Sequence, residues 1–216
     1  MIYALLIATI AYTIFVLFII SGLFRHNILP ISNLKNLPFV SIIIAARNEE
    51  ENLPDLLDDL INQEYPFSKF EIIIIDDRSY DSTPKILLEA SENYAFIKII
   101  TVNEESKHMT PKKNAIDLGI KKSKGEVILA TDADCRVGPL WIASMTYSLI
   151  NKNGIIIGYS EISKMQETLF EAYQKIDFLA ILAANAGAAG WGQYWSGTGQ
   201  NLAYYKKDYS QIGGFN

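Results

Sequence analysis

The chain has 216 residues, 50% of them hydrophobic and 20% charged, with 19 Lys and Arg against 24 Asp and Glu for a net charge of −5. That size holds one ordinary globular domain with a full core, and an acidic balance argues against nucleic acid as a partner, because backbone phosphates are bound by Lys and Arg that replace condensed counterions. One cysteine, Cys135, and two histidines, His26 and His108, provide neither an internal disulfide nor a Cys or His cluster for zinc, so any metal has to be held by carboxylates.

Residues 2–24 carry no charge. As a helix they reach roughly 35 Å at about 1.5 Å per residue, enough to cross a hydrocarbon core of about 30 Å. No basic region precedes the stretch and no A-x-A-like site ends it, so it reads as a single transmembrane anchor and not as a cleaved signal. Arg25, His26 and Lys35 follow it, which by the positive-inside tendency puts the bulk of the chain on the cytosolic face of the membrane. The unpaired cysteine agrees with a reducing compartment. Residues 25–38 contain two prolines and read as a juxtamembrane linker, leaving 39–216 as the main domain.

From residue 39 on, β-branched runs at 40–46, 71–76, 96–102, 126–131 and 154–161 alternate with helical patterns, the strand starts recurring roughly every 25 to 31 residues. This βαβ rhythm predicts a doubly wound α/β domain. The clearest helix follows the first strand, where Leu53, Leu56, Leu57, Leu60 and Ile61 form one apolar stripe. Asn48 is the expected cap and Glu51 the expected capping-box acid. Runs such as Ile72 to Ile75 are apolar on both faces, as in a parallel sheet covered by helices on both sides. In such a sheet, ligands sit beyond the carboxyl ends of the strands.

The first strand runs into Ala45-Ala46-Arg47-Asn48-Glu49-Glu50, which lacks the glycine-rich turn that lets a pyrophosphate approach a helix N-terminus, so a nicotinamide or flavin enzyme is disfavoured. The second ends in Asp76-Asp77-Arg78-Ser79, either a turn and helix cap or a carboxylate acceptor for a base N–H. The fourth ends in Asp132-Ala133-Asp134, a pair suited to a divalent ion shared with substrate phosphates, though also common in surface turns. Lys112 can meet a diphosphate as a point charge, while Lys113 reads as a solvated helix face. The stretch 178–189, followed by Trp191, Tyr194 and Trp195, is an interfacial helix with belt aromatics, an acceptor platform or ordinary core.

Taken together, the segments SIIIAARNEEENLPDLLDDL, EIIIIDDRSYDST, PKKNAIDLGI, GEVILATDAD and GTGQNLAYYKKDYSQIGGFN resemble the membrane-associated family 2 glycosyltransferases over residues 39–216. The resemblance implies a GT-A fold, a nucleotide-diphosphate sugar donor, Mg²⁺ or Mn²⁺, and inversion at the anomeric carbon during transfer to a lipid or polysaccharide acceptor. Carried over position by position, it implies that Ala45, Arg47 and Glu49 line the nucleoside pocket and that Asp77 meets the base. Lys112 matches the lysine of the family's K-x-x-A-L-N pattern, whose last two positions read Ile116 and Asp117 here. Asp132 would approach the ribose or phosphate, and Asp134 would ligate the metal. Gly199, Asn201, Gly213 and Gly214 match the segment near acceptor and sugar. Family members usually continue to an acidic general base past the Gly-Gly-Phe motif, so the base is expected beyond Asn216 and the chain reads as truncated. Asp208 fits a helix or turn. The alternatives are a noncatalytic module that binds a nucleotide sugar or a partner, and a nucleotidyltransferase, for which the basic glycine-rich loop is missing.

Overall fold

The computed structural model describes residues 1–26, 36–152, 154–162 and 168–215. Most of the expected linker, residues 27–35, lies outside the described residues, as does Lys35. The chain divides into two compact units, residues 1–30 with 159–197 and residues 31–158 with 198–216. Residues 159–197 thus cluster with the N-terminal helix and not with the α/β domain.

The first unit contains α1 (Ile2–Leu23) and α6 (Leu169–Gly190). α1 is long and apolar enough to cross a membrane. Its Ser and Thr hydroxyls are satisfied along the helix: Thr9 donates to the Leu5 carbonyl at 3.0 Å, Thr13 to Thr9 at 2.8 Å and Ser21 to Phe18 at 2.9 Å. None of the three depends on water, which suits an apolar surrounding. α6 starts with a capping box between Thr168 and Glu171. Its C-terminal end meets that of α1 through glycines, where a β-carbon on Gly22 would lie 1.9 Å from the Gly187 carbonyl oxygen. Trp191 then stacks on Phe18 at 5.9 Å and Trp195 on Phe15 at 6.1 Å, with the Arg25 guanidinium 4.1 Å from the Trp191 ring centre. Within 178–189, Leu179 and Ile181 are exposed, residues 182–186 are half-buried, and Gly187 and Ala188 are buried, while Trp191, Tyr194 and Trp195 are exposed, so ordinary core describes only the C-terminal end of the helix.

The second unit is built on one six-stranded sheet. Its strands are β1 (Val40–Ala46), β2 (Phe70–Asp77), β3 (Ile97–Val102), β4 (Val127–Asp132), β5 (Ile156–Ile157) and β6 (Asn201–Tyr205), in the order β3-β2-β1-β4-β6-β5. β1 pairs in parallel with β2 and β4, and β2 with β3. β6 runs antiparallel between β4 and β5. The sheet is therefore mixed, and the strand expected over 154–161 shrinks to two residues. Its neighbour β6 falls in a five-residue segment that the sequence presents as a motif and not as a strand.

Helices cover both faces. Ile42 and Ile44 of β1 pack with Leu56 and Leu60 of α2 (Leu53–Ile61), Leu87 of α3 (Thr83–Asn93) and Leu149 of α5 (Trp141–Lys152). Ile43 points the other way, joining Ile73, Ile75 and Ile128 against Ala115 and Ile120 of α4 (Pro111–Lys122). This alternation is the period-2 geometry of a strand buried on both faces. α7 (Lys206–Gln211), which contains Asp208, follows β6 directly.

Asn48 is not the cap of α2. That helix has Asn52 at its N-cap with no side-chain cap bond, whereas the Asn48 backbone sits at φ +56° and its Oδ1 accepts from the Tyr80 amide at 2.9 Å. Its side chain is engaged across the sheet edge, so the expected capping box over 48–51 does not form.

Candidate functional site

The carboxyl ends of β1, β2 and β4 are neighbours in the sheet, with Ala45 opposite both Ile75 and Asp132. The loops that leave them surround a cleft of about 260 Å³ lined by Ala45, Arg47, Glu49, Asp77, Lys112, Asp132 and Asp134, together with neighbouring small residues. Residues far apart in sequence meet there because parallel strands deliver every loop to one edge.

The loop after β1 and the loop after β2 are laced together. The Asn48 amide donates to Ser79 Oγ at 3.0 Å and the Glu49 amide to Thr83 Oγ1 at 2.8 Å. The Glu50 amide donates to Asp81 at 3.2 Å, while the Ser82 amide donates to the Glu50 carboxylate at 2.8 Å. The run Asp81 to Thr83 leads into α3, and its polar groups also fix the first loop. Asp77 is buried and accepts from Arg78 Nε at 2.9 Å, and Arg78 Nη1 reaches Glu105 at 2.6 Å. Both carboxylates hold the Arg78 guanidinium above its ordinary pKa, Asp77 more strongly than Glu105. Arg78 also adopts φ +60°, a strained left-handed conformation for a residue with a long side chain.

Lys112, in the first turn of α4, pairs with Asp132 Oδ1 at 2.7 Å. Asp134 is exposed at the rim. Next to Asp134, Cys135 is half-buried; burial, reinforced by the charges of Asp134 and Asp132, pushes its thiol above the ordinary value, so it remains protonated and is a poor nucleophile. Asp117, where the K-x-x-A-L-N pattern has Asn, is buried on α4. It accepts from the Tyr209 hydroxyl at 2.9 Å and pairs with Lys121 at 2.7 Å. Burial first, and then this carboxylate, raise the Tyr209 pKa.

The four positions expected near acceptor and sugar do not line this cleft. Asn201 opens β6 opposite Thr131, and its Oδ1 accepts from Trp141 Nε1 at 2.9 Å. Gly199 is exposed, while Gly213 and Gly214 adopt φ +82° and +74°, the left-handed conformation that glycine tolerates without strain.

Among the described residues, no group of three or more His, Cys, Asp or Glu side chains is placed to hold a metal ion. The cleft instead sets four carboxylates, Glu49, Asp77, Asp132 and Asp134, against the two cationic side chains Arg47 and Lys112. Such an acidic cleft repels a diphosphate unless a cation accompanies it. The carboxylates of Asp132, which ends β4, and Asp134, two residues on, suit a hard divalent ion that takes its remaining ligands from substrate phosphates and water.

Sequence reasoning did not flag Arg78, Glu105, Asp55, Asp59, Gln63, Arg136 or Trp141. A local signal that points to some of them is the spacing by four of Asp55, Asp59 and Gln63, the first two on α2 and the third just past its end. What these three hold is supplied by residues some 75 to 80 positions away, which no local pattern reveals.

The family model described as glycosyl transferase family 2 matches residues 41–213, the whole span from β1 to the Gly-Gly-Phe segment. The chain belongs to this family. As a family 2 glycosyltransferase chain it is 30% identical over 209 residues to the probable glycosyltransferase YdaM of Bacillus subtilis, covering 92% of this chain and 50% of that protein. It is 39% identical over 102 residues to the beta-monoglucosyldiacylglycerol synthase of a Nostoc species, covering 47% and 21% respectively. The chain therefore spans about half the length of YdaM and a smaller share of the Nostoc enzyme. Among solved structures it is similar to the mannosyltransferase PcManGT from Pyrobaculum calidifontis in complex with GDP-Man and Mn²⁺, with a TM-score of 0.70 and 20% identity over 99% of this chain and 58% of that one. S. aureus TarS in complex with UDP-GlcNAc gives a TM-score of 0.57 at 16% identity, covering 81% and 47%. These likenesses establish the GT-A fold.

Proposed function

We propose that this chain binds a nucleotide-diphosphate sugar in the cleft at the ends of β1, β2 and β4 and takes part in its transfer, with inversion, to a lipid or polysaccharide acceptor at the cytosolic face of a membrane. The observation that carries this reading is the convergence of Asp77, Lys112, Asp132 and Asp134, from three separate segments, around one cleft. The names of the relatives support the substrate class: PcManGT is a complex with GDP-Man and Mn²⁺, TarS one with UDP-GlcNAc, and the Nostoc relative is a beta-monoglucosyldiacylglycerol synthase. The apolar helix α1 supports membrane attachment.

In this reading Ala45, Arg47 and Glu49 line the nucleoside side of the cleft, and Asp77 accepts an N–H of the base with the oxygen that Arg78 leaves available. Arg78 and Glu105 fix the orientation of that carboxylate. Asp134, with Asp132 beside it, holds Mg²⁺ or Mn²⁺. A divalent cation held by these carboxylates would supply positive charge to the diphosphate leaving group. Lys112 exchanges part of its pairing with Asp132 for a phosphate oxygen, adding a second positive charge on the leaving group. Gly199, Asn201, Gly213 and Gly214 are assigned to the acceptor and sugar segment. The base that activates the acceptor hydroxyl is not assigned within residues 1–216.

Incubating the protein with radiolabelled UDP- and GDP-sugars, Mn²⁺ or Mg²⁺ and a bacterial membrane extract tests the proposal. Cation-dependent donor binding with label passing to lipid or polymer is the expected result. No donor binding under any cation contradicts it.

A further inference from the structure

Beyond the cleft itself, the residues just after Asp134 are fastened to one face of α2. Arg136 grips Asp59 with two parallel bonds, Nε to Oδ2 at 2.6 Å and Nη2 to Oδ1 at 2.8 Å, and reaches Asp55 with Nη1 at 2.9 Å. The Val137 amide adds a bond to Asp59 Oδ2 at 3.0 Å. Just past the C-terminal end of α2, the buried Gln63 donates to the Gly138 carbonyl at 2.8 Å and accepts from the Ile142 amide at 3.0 Å, and the Glu64 amide donates to the Pro139 carbonyl at 2.7 Å. α2 thus packs its leucines into the core while Asp55 and Asp59 on the helix, and Gln63 just beyond its end, hold residues 136–142. The same segment passes the restraint on, since Trp141 donates to Asn201 at 2.9 Å.

An isolated ion pair on a surface stabilises little. This one differs because its geometry is bidentate, Asp59 is only 15% exposed on its side chain, and the same carboxylate also takes a backbone amide. The bond from Arg136 accordingly holds the Asp59 carboxyl below the usual carboxylate range. Asp134 is exposed, and among the described residues its side chain meets Cys135, whose Sγ lies 3.9 Å from Oδ1, and no cationic partner. Its position is therefore set by the backbone on either side, by β4 before it and by the Arg136 anchor after it.

We infer that Arg136 and Asp59, with Asp55 and Gln63, form a clamp that positions the Asp134 loop for cation-assisted binding of the donor diphosphate. Arg136 and Asp59 are positioning residues, and neither lines the cleft. The inference rests on the donor-site reading proposed above. A flexible Asp134 loop must be ordered each time it captures a cation, which weakens the site without touching nucleoside contacts; partners that orient metal ligands typically govern about 10- to 100-fold in affinity.

The test uses the full chain and the variants R136Q, R136K and D59N, with two readouts. Hydrogen exchange without ligand is expected to accelerate at residues 133–138 in R136Q and D59N while β4 and α2 stay protected. The Mn²⁺ concentration that half-saturates binding of a nucleotide sugar, UDP-GlcNAc or GDP-Man, is expected to rise about tenfold in R136Q, with R136K intermediate and metal-free binding of UMP or GMP unchanged. Unaltered exchange, an unmoved Mn²⁺ requirement, or an equal loss of metal-free nucleotide binding overturns the clamp while leaving the donor site standing. Failure of the wild-type chain to bind either donor with Mn²⁺ overturns the donor-site reading, and with it the role given to the clamp.

Discussion

Gly125 shows how closely single residues are constrained at the end of the sheet remote from the cleft. A β-carbon there would lie 2.5 Å from the Ser41 backbone nitrogen and 2.9 Å from the Val127 carbonyl oxygen, and neither backbone atom can yield cheaply. Gly125→Ala is therefore expected to lose about 1–3 kcal/mol, the usual cost of overpacking, seen as a lower urea midpoint; an unchanged midpoint contradicts the packing described. Beside it, Glu71 is buried and accepts from Ser41 at 2.6 Å, from the Lys124 amide at 2.6 Å and from Lys98. Burial alone would raise its pKa, but the bonds from Lys98, Ser41 and the Lys124 amide outweigh burial and hold it below the ordinary 4.5. A carboxyl depressed on folding contributes stability that is present above its unfolded pKa and lost as pH falls through the folded one. Glu71→Gln should thus cost about 1–3 kcal/mol at pH 7, and the gap to the parent should narrow below about pH 4.5, where the unfolded carboxyl begins to bind its proton. Denaturation curves from pH 7 to 4 measure this, and a gap that stays constant contradicts it.

Elements differ in how openly their sequences declare them. The strand expected over 40–46 is observed there, and the leucine stripe of α2 is buried as its spacing predicts, because each pattern is long, regular and read by one neighbouring layer. β6 was not legible: Asn201 to Tyr205 is five residues long and exists as a strand because β4 and β5 flank it, a tertiary cause that a local window does not contain. The second face of α2 was hidden for the same reason, since an aspartate at position 59 has no meaning until Arg136 arrives. For α6, the aromatic cluster at 191–195 was visible, but its docking on α1 depends on glycines whose spacing in sequence is uninformative. Gly22→Val should drive a side chain into the Gly187 backbone and loosen the α1–α6 contact. Limited proteolysis in detergent checks this: chymotryptic cleavage after Trp191 and Trp195 is expected to accelerate, and an unchanged rate contradicts the packing.

For the molecule as a whole, the cleft at the ends of β1, β2 and β4 was more legible than its supports. Parallel strands bring the ends of β1, β2 and β4 to one edge, so chemistry-bearing residues placed after predicted strands had to be neighbours. The grip of Arg78 on Asp77, the lacing of the two loops and the α2 clamp involve long-range pairs that one sequence does not announce. The proposed binding of a diphosphate in a net-acidic cleft predicts a strict requirement for a divalent cation: chelation by EDTA should abolish nucleotide-sugar binding while leaving the thermal midpoint of the α/β unit unchanged. The most direct test of the account is calorimetric binding of a nucleotide sugar and of its free nucleoside to the parent, Asp77→Ala and Asp134→Ala chains, each with and without Mn²⁺. The account predicts that Asp134→Ala removes the Mn²⁺-dependent part of donor affinity and leaves nucleoside affinity unchanged, whereas Asp77→Ala weakens the nucleoside. Full Mn²⁺-dependent affinity in Asp134→Ala, or equal losses of nucleoside affinity in both variants, would contradict it.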